Sequence, residues 1–208
     1  MIAPPPTREP DALQPAWEIA HLFPYQGGWE EYDYLELETN HLVEYNDGYV
    51  EVLEMPTQTH QLIVAYLYGL LLSFAKKYQL GLVLFAPLRV RLRPRLIREP
   101  DVVFMRAEHA ERRSDKQWER ADLVMEVVSD DPKSRERDLE TKRSEYAQAG
   151  IPEYWIVDPT LETITVLKLT DDTYEVQGEF KRGETAGSAL LDGFTVDVSA
   201  AFDAGQLE

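Results

Sequence analysis

The chain has 208 residues, 44% hydrophobic and 28% charged, which fits one soluble globular domain and excludes disordered and fibrous classes. No run approaches the ~20 apolar residues of a membrane helix, and the absence of cysteine removes disulfide and thiolate chemistry and suits a reducing cytoplasm. The formal net charge of −17 disfavours tight, non-specific gripping of duplex nucleic acid, which works by counterion release from a basic surface. A local basic track remains compatible with that charge, because screening acts over ~8 Å at physiological salt.

Residues 1–28 begin with a proline-rich stretch that lacks the apolar core of a secretory signal, and read as a flexible lead-in to a single domain over 29–208. WEEYDYLELE (29–38) is weakly helical and stops at Thr39-Asn40. LVEYN and YVEVLEM flank Asn46-Asp47-Gly48, a hairpin signal. From His60 to Tyr78, apolar residues recur at three- and four-residue spacing (Ile63, Val64, Leu67, Leu70, Leu71, Phe74), which predicts an amphipathic helix. A strand is expected over 82–93 and a short one over 101–105, followed by a charged connector. LVMEVVS is a nearly continuous apolar run broken by one glutamate. A charged helix is expected over 134–149, stopped by Gly150 in the position of a helix C′ residue. EYWIVD reads as a buried strand, and alternation to about 198 with turn residues between predicts terminal antiparallel strands. The order helix, three strands, helix, strand implies an α/β domain with a mixed central sheet flanked by helices.

Glu126 is the residue that needs explaining. In a strand, Val124, Glu126 and Val128 share one face, and a carboxylate in so apolar a run is expensive to desolvate unless it is paired or binds a metal. Asp101 opens the other short apolar strand, directly after Pro100. If the two strands are neighbours, both carboxylates converge at one end of the sheet, where two bare acids repel and a divalent cation removes the conflict. Hard oxygen ligands select Mg²⁺ or Mn²⁺. The bland alternative pairs Glu126 with an arginine and leaves Asp101 to cap a turn. On the following helix, Asp138 and Lys142 are four apart on one face. They can form a salt bridge within the helix worth a few tenths of a kcal/mol, or Lys142 can reach across to the carboxylate pair and steady charge on a phosphate.

Pro100-Asp101, Glu126-Val127-Val128-Ser129, Asp138…Lys142…Tyr146, Gly150-Ile151 and the EYWIVD strand together resemble the Uma-two family, with Glu44, the hairpin at Gly48, Pro56 and His60 matching its N-terminal half. The resemblance covers roughly 29–198. It implies a restriction-endonuclease-like fold of the PD-(D/E)XK group, in which Asp101 and Glu126 bind Mg²⁺ and a lysine assists hydrolysis of a phosphodiester, expected to be in DNA. Val128 stands where that group's lysine is usual, and Lys142 is the family's substitute. Asp130-Asp131-Pro132 departs from the family's small hydroxyl residues and adds negative charge beside the site. Glu44 and His60 are accessory candidates by the same resemblance, with a solvated strand residue and a packing histidine as their plain alternatives. Related folds often form homodimers.

Arg89, Arg91, Arg93, Arg95 and Arg98 place five of the 21 basic residues within ten positions, and a strand would align the first three into one positive stripe. Arg89 and Arg91 are the candidates for nucleic-acid contact. The alternatives to a metal-dependent endonuclease are a catalytically inactive nuclease-fold module for binding or assembly, which the net charge favours, and a hydrolase of smaller phosphate esters.

Overall fold

Hairpin, long helix and sheet all form near where local pattern calls for them in the structure, a computed structural model that describes residues 23–39 and 41–206. Most of the expected lead-in lies outside the described residues. Its last part is bound to the domain: the Gln26 side chain exchanges two 2.9 Å hydrogen bonds with the Val50 backbone, and Gly27 N–H donates to the Gly48 carbonyl. Glu31–Leu35 (α1) is one short helix. Val43–Asn46 (β1) and Tyr49–Val52 (β2) pair around Asp47-Gly48, both with positive φ as a tight hairpin turn requires. Gln58–Tyr78 (α2) is capped by the Thr57 hydroxyl, which accepts from His60 N–H, and buries Ile63, Leu67, Leu71 and Ala75.

The strand expected over 82–93 is two strands in different sheets, Gly81–Phe85 (β3) and Arg89–Arg93 (β4). Pro87, which cannot donate to a ladder, falls at the break. Leu96–Arg98 (β5) and Val102–Arg106 (β6) follow. The charged connector carries a 3₁₀ helix, Ala107–Arg112, and Gln117–Glu119 (β7). Leu123–Val127 (β8) is wholly buried. The charged helix is built in three parts: Pro132–Glu136 (α3), a π-helical turn over Arg137–Thr141, and Lys142–Gln148 (α4). Glu153–Asp158 (β9), Thr163–Thr170 (β10), Thr173–Lys181 (β11), Thr185–Gly187 (β12) and Thr195–Asp197 (β13) complete the strands. The chain then enters Val198–Asp203 (α5), a helix too short to show a period in the sequence.

The main sheet has the order β11-β10-β9-β8-β6-β3, with β8 and β9 parallel and the other neighbours antiparallel. Alternation along β8 divides the core. Leu123, Met125 and Val127 pack with Leu67 and Leu71 of α2, while Val124 and Val128 pack with Tyr146 and Ala147 of α4. Glu126 therefore lies at a position on the α4 face. A second sheet, β2-β1-β5-β4-β7, holds a small core of Trp29, Tyr34, Val43, Tyr45 and Ile97.

The β3–β6 pairing sets the strand that leads from Asp101, and it depends on Gly81, where an added Cβ would meet the Met105 carbonyl oxygen at 2.1 Å. Gly81→Ala should destabilise the fold by roughly 1–3 kcal/mol, since backbone must shift to admit the methyl group. Gly69, inside α2 with nothing within 4 Å of an added Cβ, should respond in the opposite direction, Gly69→Ala gaining about 0.5–1 kcal/mol. Urea unfolding of the two variants checks both signs.

Candidate active site

β6 and β8 are neighbouring antiparallel strands in the register Val102↔Met125 and Val103↔Val124, and one further step brings Asp101 level with Glu126. Asp101 Oδ2 accepts the Val127 N–H at 2.8 Å and lies 3.2 Å from His60 Nε2 on the first turn of α2. Glu126 Oε1 accepts from Lys142 Nζ at 2.9 Å and from the Tyr146 hydroxyl at 2.6 Å. Among the described residues, every hydrogen bond and ion pair of Asp101 falls on Oδ2 and every one of Glu126 on Oε1, so each carboxylate keeps one oxygen free of protein donors. Both line a cavity of ≈ 400 Å³ together with His60, Ser129, Asp138 and Lys142. His60 Nδ1 and Ser129 Oγ are buried without a hydrogen-bond partner among the described residues.

Lys142 enters from the π-helical turn, where its backbone N–H bonds to the carbonyl of Arg137, five residues back. Tyr154 donates its hydroxyl to the Asp138 carbonyl at 2.9 Å and braces this turn. The Lys142 ammonium, on a side chain 3% exposed, then meets three carboxylates: Glu126 at 2.9 Å, Glu44 at 3.2 Å and Asp138 at 3.3 Å. The i,i+4 pair with Asp138 and the reach to Glu126 thus occur together, and both are buried. Glu44 on β1 is also 3.0 Å from Arg98, which binds Glu145 through two bonds of 2.7 and 2.6 Å. Arg137 lies 3.6 Å from both Glu51 and Asp138.

One ammonium cannot neutralise three acids. Burial opposes the charge on Lys142, yet Glu126, Glu44 and Asp138 hold its pKa well above the ordinary lysine range. Burial likewise disfavours ionised Glu44, but Lys142, Arg98 and Arg137 overcome it and bring the carboxyl to about 2. Glu126 has less help. Burial pushes it up to about 8, and Asp101, Asp138 and Glu44 add to the rise against the pull of Lys142. Asp138 is raised for the same reason, burial first. For His60, burial lowers the imidazole pKa, but its bond to Asp101 and the charges of Asp101 and Glu126 raise it overall. Glu99, which lines the cavity and is buried against Tyr34 and Val43 N–H, is pushed up to about 7 by burial.

The structure engages Arg89 and Arg91 within the protein. Arg89 donates to the Leu35 carbonyl at 2.9 Å and stacks over the Tyr34 ring, and Arg91 pairs with Glu31 at 2.7 Å and with Glu119. Arg93 and Arg95 pair with Asp47 and Glu30. Arg98, which follows the stripe in the sequence, is a buried bridge between Glu44 and Glu145. The signal for that was the apolar Leu96-Ile97 before it, which makes Arg98 the end of a buried strand. Among the described residues, no group of three or more His, Asp or Glu side chains is arranged to hold a metal ion. The donor set is two carboxylates with one free oxygen each, which matches the way Mg²⁺ binds, through one or two carboxylates and retained water.

A six-stranded mixed sheet with an aspartate and a glutamate level on adjacent strands, and a lysine returning from the next helix, defines a restriction-endonuclease-like α/β protein. The chain belongs to the Uma2 family, described as "Putative restriction endonuclease", whose model matches residues 29–199. Among solved structures it is similar to a protein from Anabaena variabilis ATCC 29413 described as a "putative nuclease belonging to DUF820". The TM-score is 0.69 at 17% identity, over 84% of this chain and 97% of that one, a likeness that shows the fold. No curated protein matches the chain.

Two variants probe the charge balance. Lys142→Met leaves three buried carboxylates without their shared cation and should cost roughly 3–5 kcal/mol of stability in urea unfolding. Glu126→Gln tests the proton on Glu126. In the native state that group holds its proton up to about pH 8, against an ordinary value of 4.5. The native state therefore binds more protons than the unfolded chain across that window, and this contribution to stability shrinks as pH rises. Without added metal, wild-type stability minus that of Glu126→Gln should fall from pH 5 to pH 8; a difference that grows would contradict the assignment.

Proposed function

We propose that the protein is a metal-dependent endonuclease that hydrolyses phosphodiester bonds of nucleic acid, DNA being the expected substrate. The observation that carries this reading is the convergence of Asp101 and Glu126 in one cavity, each with one oxygen free of protein donors. Asp101 and Glu126 would hold Mg²⁺ or Mn²⁺. Such an ion, when bound, polarises a phosphodiester and makes water a better nucleophile at neutral pH.

The remaining work falls to the chain's own groups. His60 and the Val127 N–H fix Oδ2 of Asp101, and Lys142 and Tyr146 fix Oε1 of Glu126, so both carboxylates are oriented before substrate arrives. The Lys142 ammonium lines the same cavity, where it would steady negative charge developing on phosphorus-bound oxygens. Glu44 and Asp138 act through Lys142 by keeping it protonated and in place. The reading assigns Arg89 and Arg91 a structural part, since their internal partners leave little positive charge for phosphate.

A second reading, an inactive nuclease-fold module, is favoured by the net charge of −17 and by the ion pairing of the arginine stripe. Calorimetry with Mn²⁺ separates the two: the enzyme should show a site that disappears in Asp101→Ala, and the module none. In the same pair of proteins, Mn²⁺-dependent cleavage of a mixture of single-stranded and duplex DNA should be abolished by Asp101→Ala while the circular dichroism spectrum is unchanged. Cleavage that survives Asp101→Ala would remove the proposal.

A further inference from the structure

Beside the acidic cavity lies an apolar one of ≈ 510 Å³, lined by Tyr68, Phe85 and Pro87 with Leu42, Met55 and Pro56. The two adjoin, and His60 and Asp101 line both. Phe85 is 49% exposed although it ends a sheet strand, and its ring stands edge-on to Tyr68, with centroids 4.8 Å apart. The N–H of the next residue, Ala86, donates to the Asp101 carbonyl at 3.2 Å. Backbone thus fixes the distance between the aromatic shelf and the acidic centre.

We infer that this shelf takes an unstacked nucleobase of the substrate, so that the favoured substrate is a single-stranded polynucleotide. The inference rests on the nuclease reading and deepens it. A nucleotide is itself divided as this surface is, with an apolar base beside an anionic phosphate. The shelf is matched to the first and the acidic centre, once it holds a cation, to the second. A duplex keeps its bases inside and presents phosphates, which a protein of net charge −17 with its arginine stripe in ion pairs is poorly made to grip. Stacking of a base on an aromatic side chain needs no positive surface and tolerates any sequence. A base can reach the shelf only when it is out of a helix.

The test uses the full chain and a short DNA single strand carrying 2-aminopurine, titrated in Ca²⁺, an ion with the same preference for carboxylate oxygen, with the strand confirmed intact by gel electrophoresis. Binding should quench or shift the probe's fluorescence. Phe85→Ala should weaken it by roughly tenfold, the loss of one base–aromatic stack. Phe85→Trp should retain it, and Leu161→Ala, at an exposed position outside the shelf, should leave it unchanged. Duplex of the same sequence should compete at least roughly tenfold less well. Absence of binding by the wild type, equal affinity in Phe85→Ala, or equal competition by duplex would overturn the inference. So would conversion of a dimer to a monomer by Phe85→Ala in sedimentation, which would mean that a second copy covers the shelf. Phe85-dependent binding with no Mn²⁺-dependent cleavage would remove the nuclease reading and keep the shelf. Cleavage indifferent to Phe85 would do the reverse.

Discussion

A single buried ammonium holds the centre of this protein together. Lys142 touches Glu126 from β8, Glu44 from β1 and Asp138 from its own helix, and so joins both sheets and the helix that covers them. Its charge is too small for three carboxylates in a poorly solvated place. Burial first, and the neighbouring acids after it, make the Glu126 and Asp138 carboxyls hold their protons more tightly than usual, while Glu44, with Arg98 and Arg137 also near, remains ionised. An arrangement built only for stability would do better with apolar residues of similar volume, because buried ion networks seldom repay their desolvation. Functional sites are where strongly shifted acids facing a cavity cluster.

Much of this was legible in the residues. Glu126 declared itself by standing alone in an apolar strand, and Asp101 by opening another strand after a proline. That these strands are neighbours entered only as a condition, which the β6–β8 pairing meets. The long helix was readable from its 3.6-residue period, the hairpin from Asp47-Gly48. Where pattern reading went astray, the cause was a local event without a periodic signature. Residues 82–93 look like one strand, but the chain leaves the main sheet at Ala86-Pro87 and β4 joins the other one. The π-helical turn at Arg137–Thr141 has no composition cue at all. β5, β7 and α5 are too short to carry a period.

The arginines illustrate a harder limit. Arg89, Arg91 and Arg93 do fall on one strand, β4, with Arg95 in the turn that follows, but alternation says nothing about what lies opposite. Glu31, Asp47, Glu30 and Glu119 come from distant segments, and only the folded chain brings them to the stripe. Arg98 differs from its neighbours because it is buried against Glu44 and Glu145, where it supports the site by fixing one of the Lys142 partners. The acidic character of the chain is therefore consistent with its architecture: most of its positive charge in this region is structural, and recognition of an anionic polymer would have to come from a bound cation and from apolar surface.

All of this converges on whether Asp101 and Glu126 share a divalent ion. The most direct measurement is a crystal structure from crystals soaked in Mn²⁺, with anomalous scattering to locate the metal. The account predicts an anomalous peak within coordination distance of both Asp101 and Glu126, with Lys142 still on Glu126. Density elsewhere, or none with both carboxylates still free to bind, would contradict it.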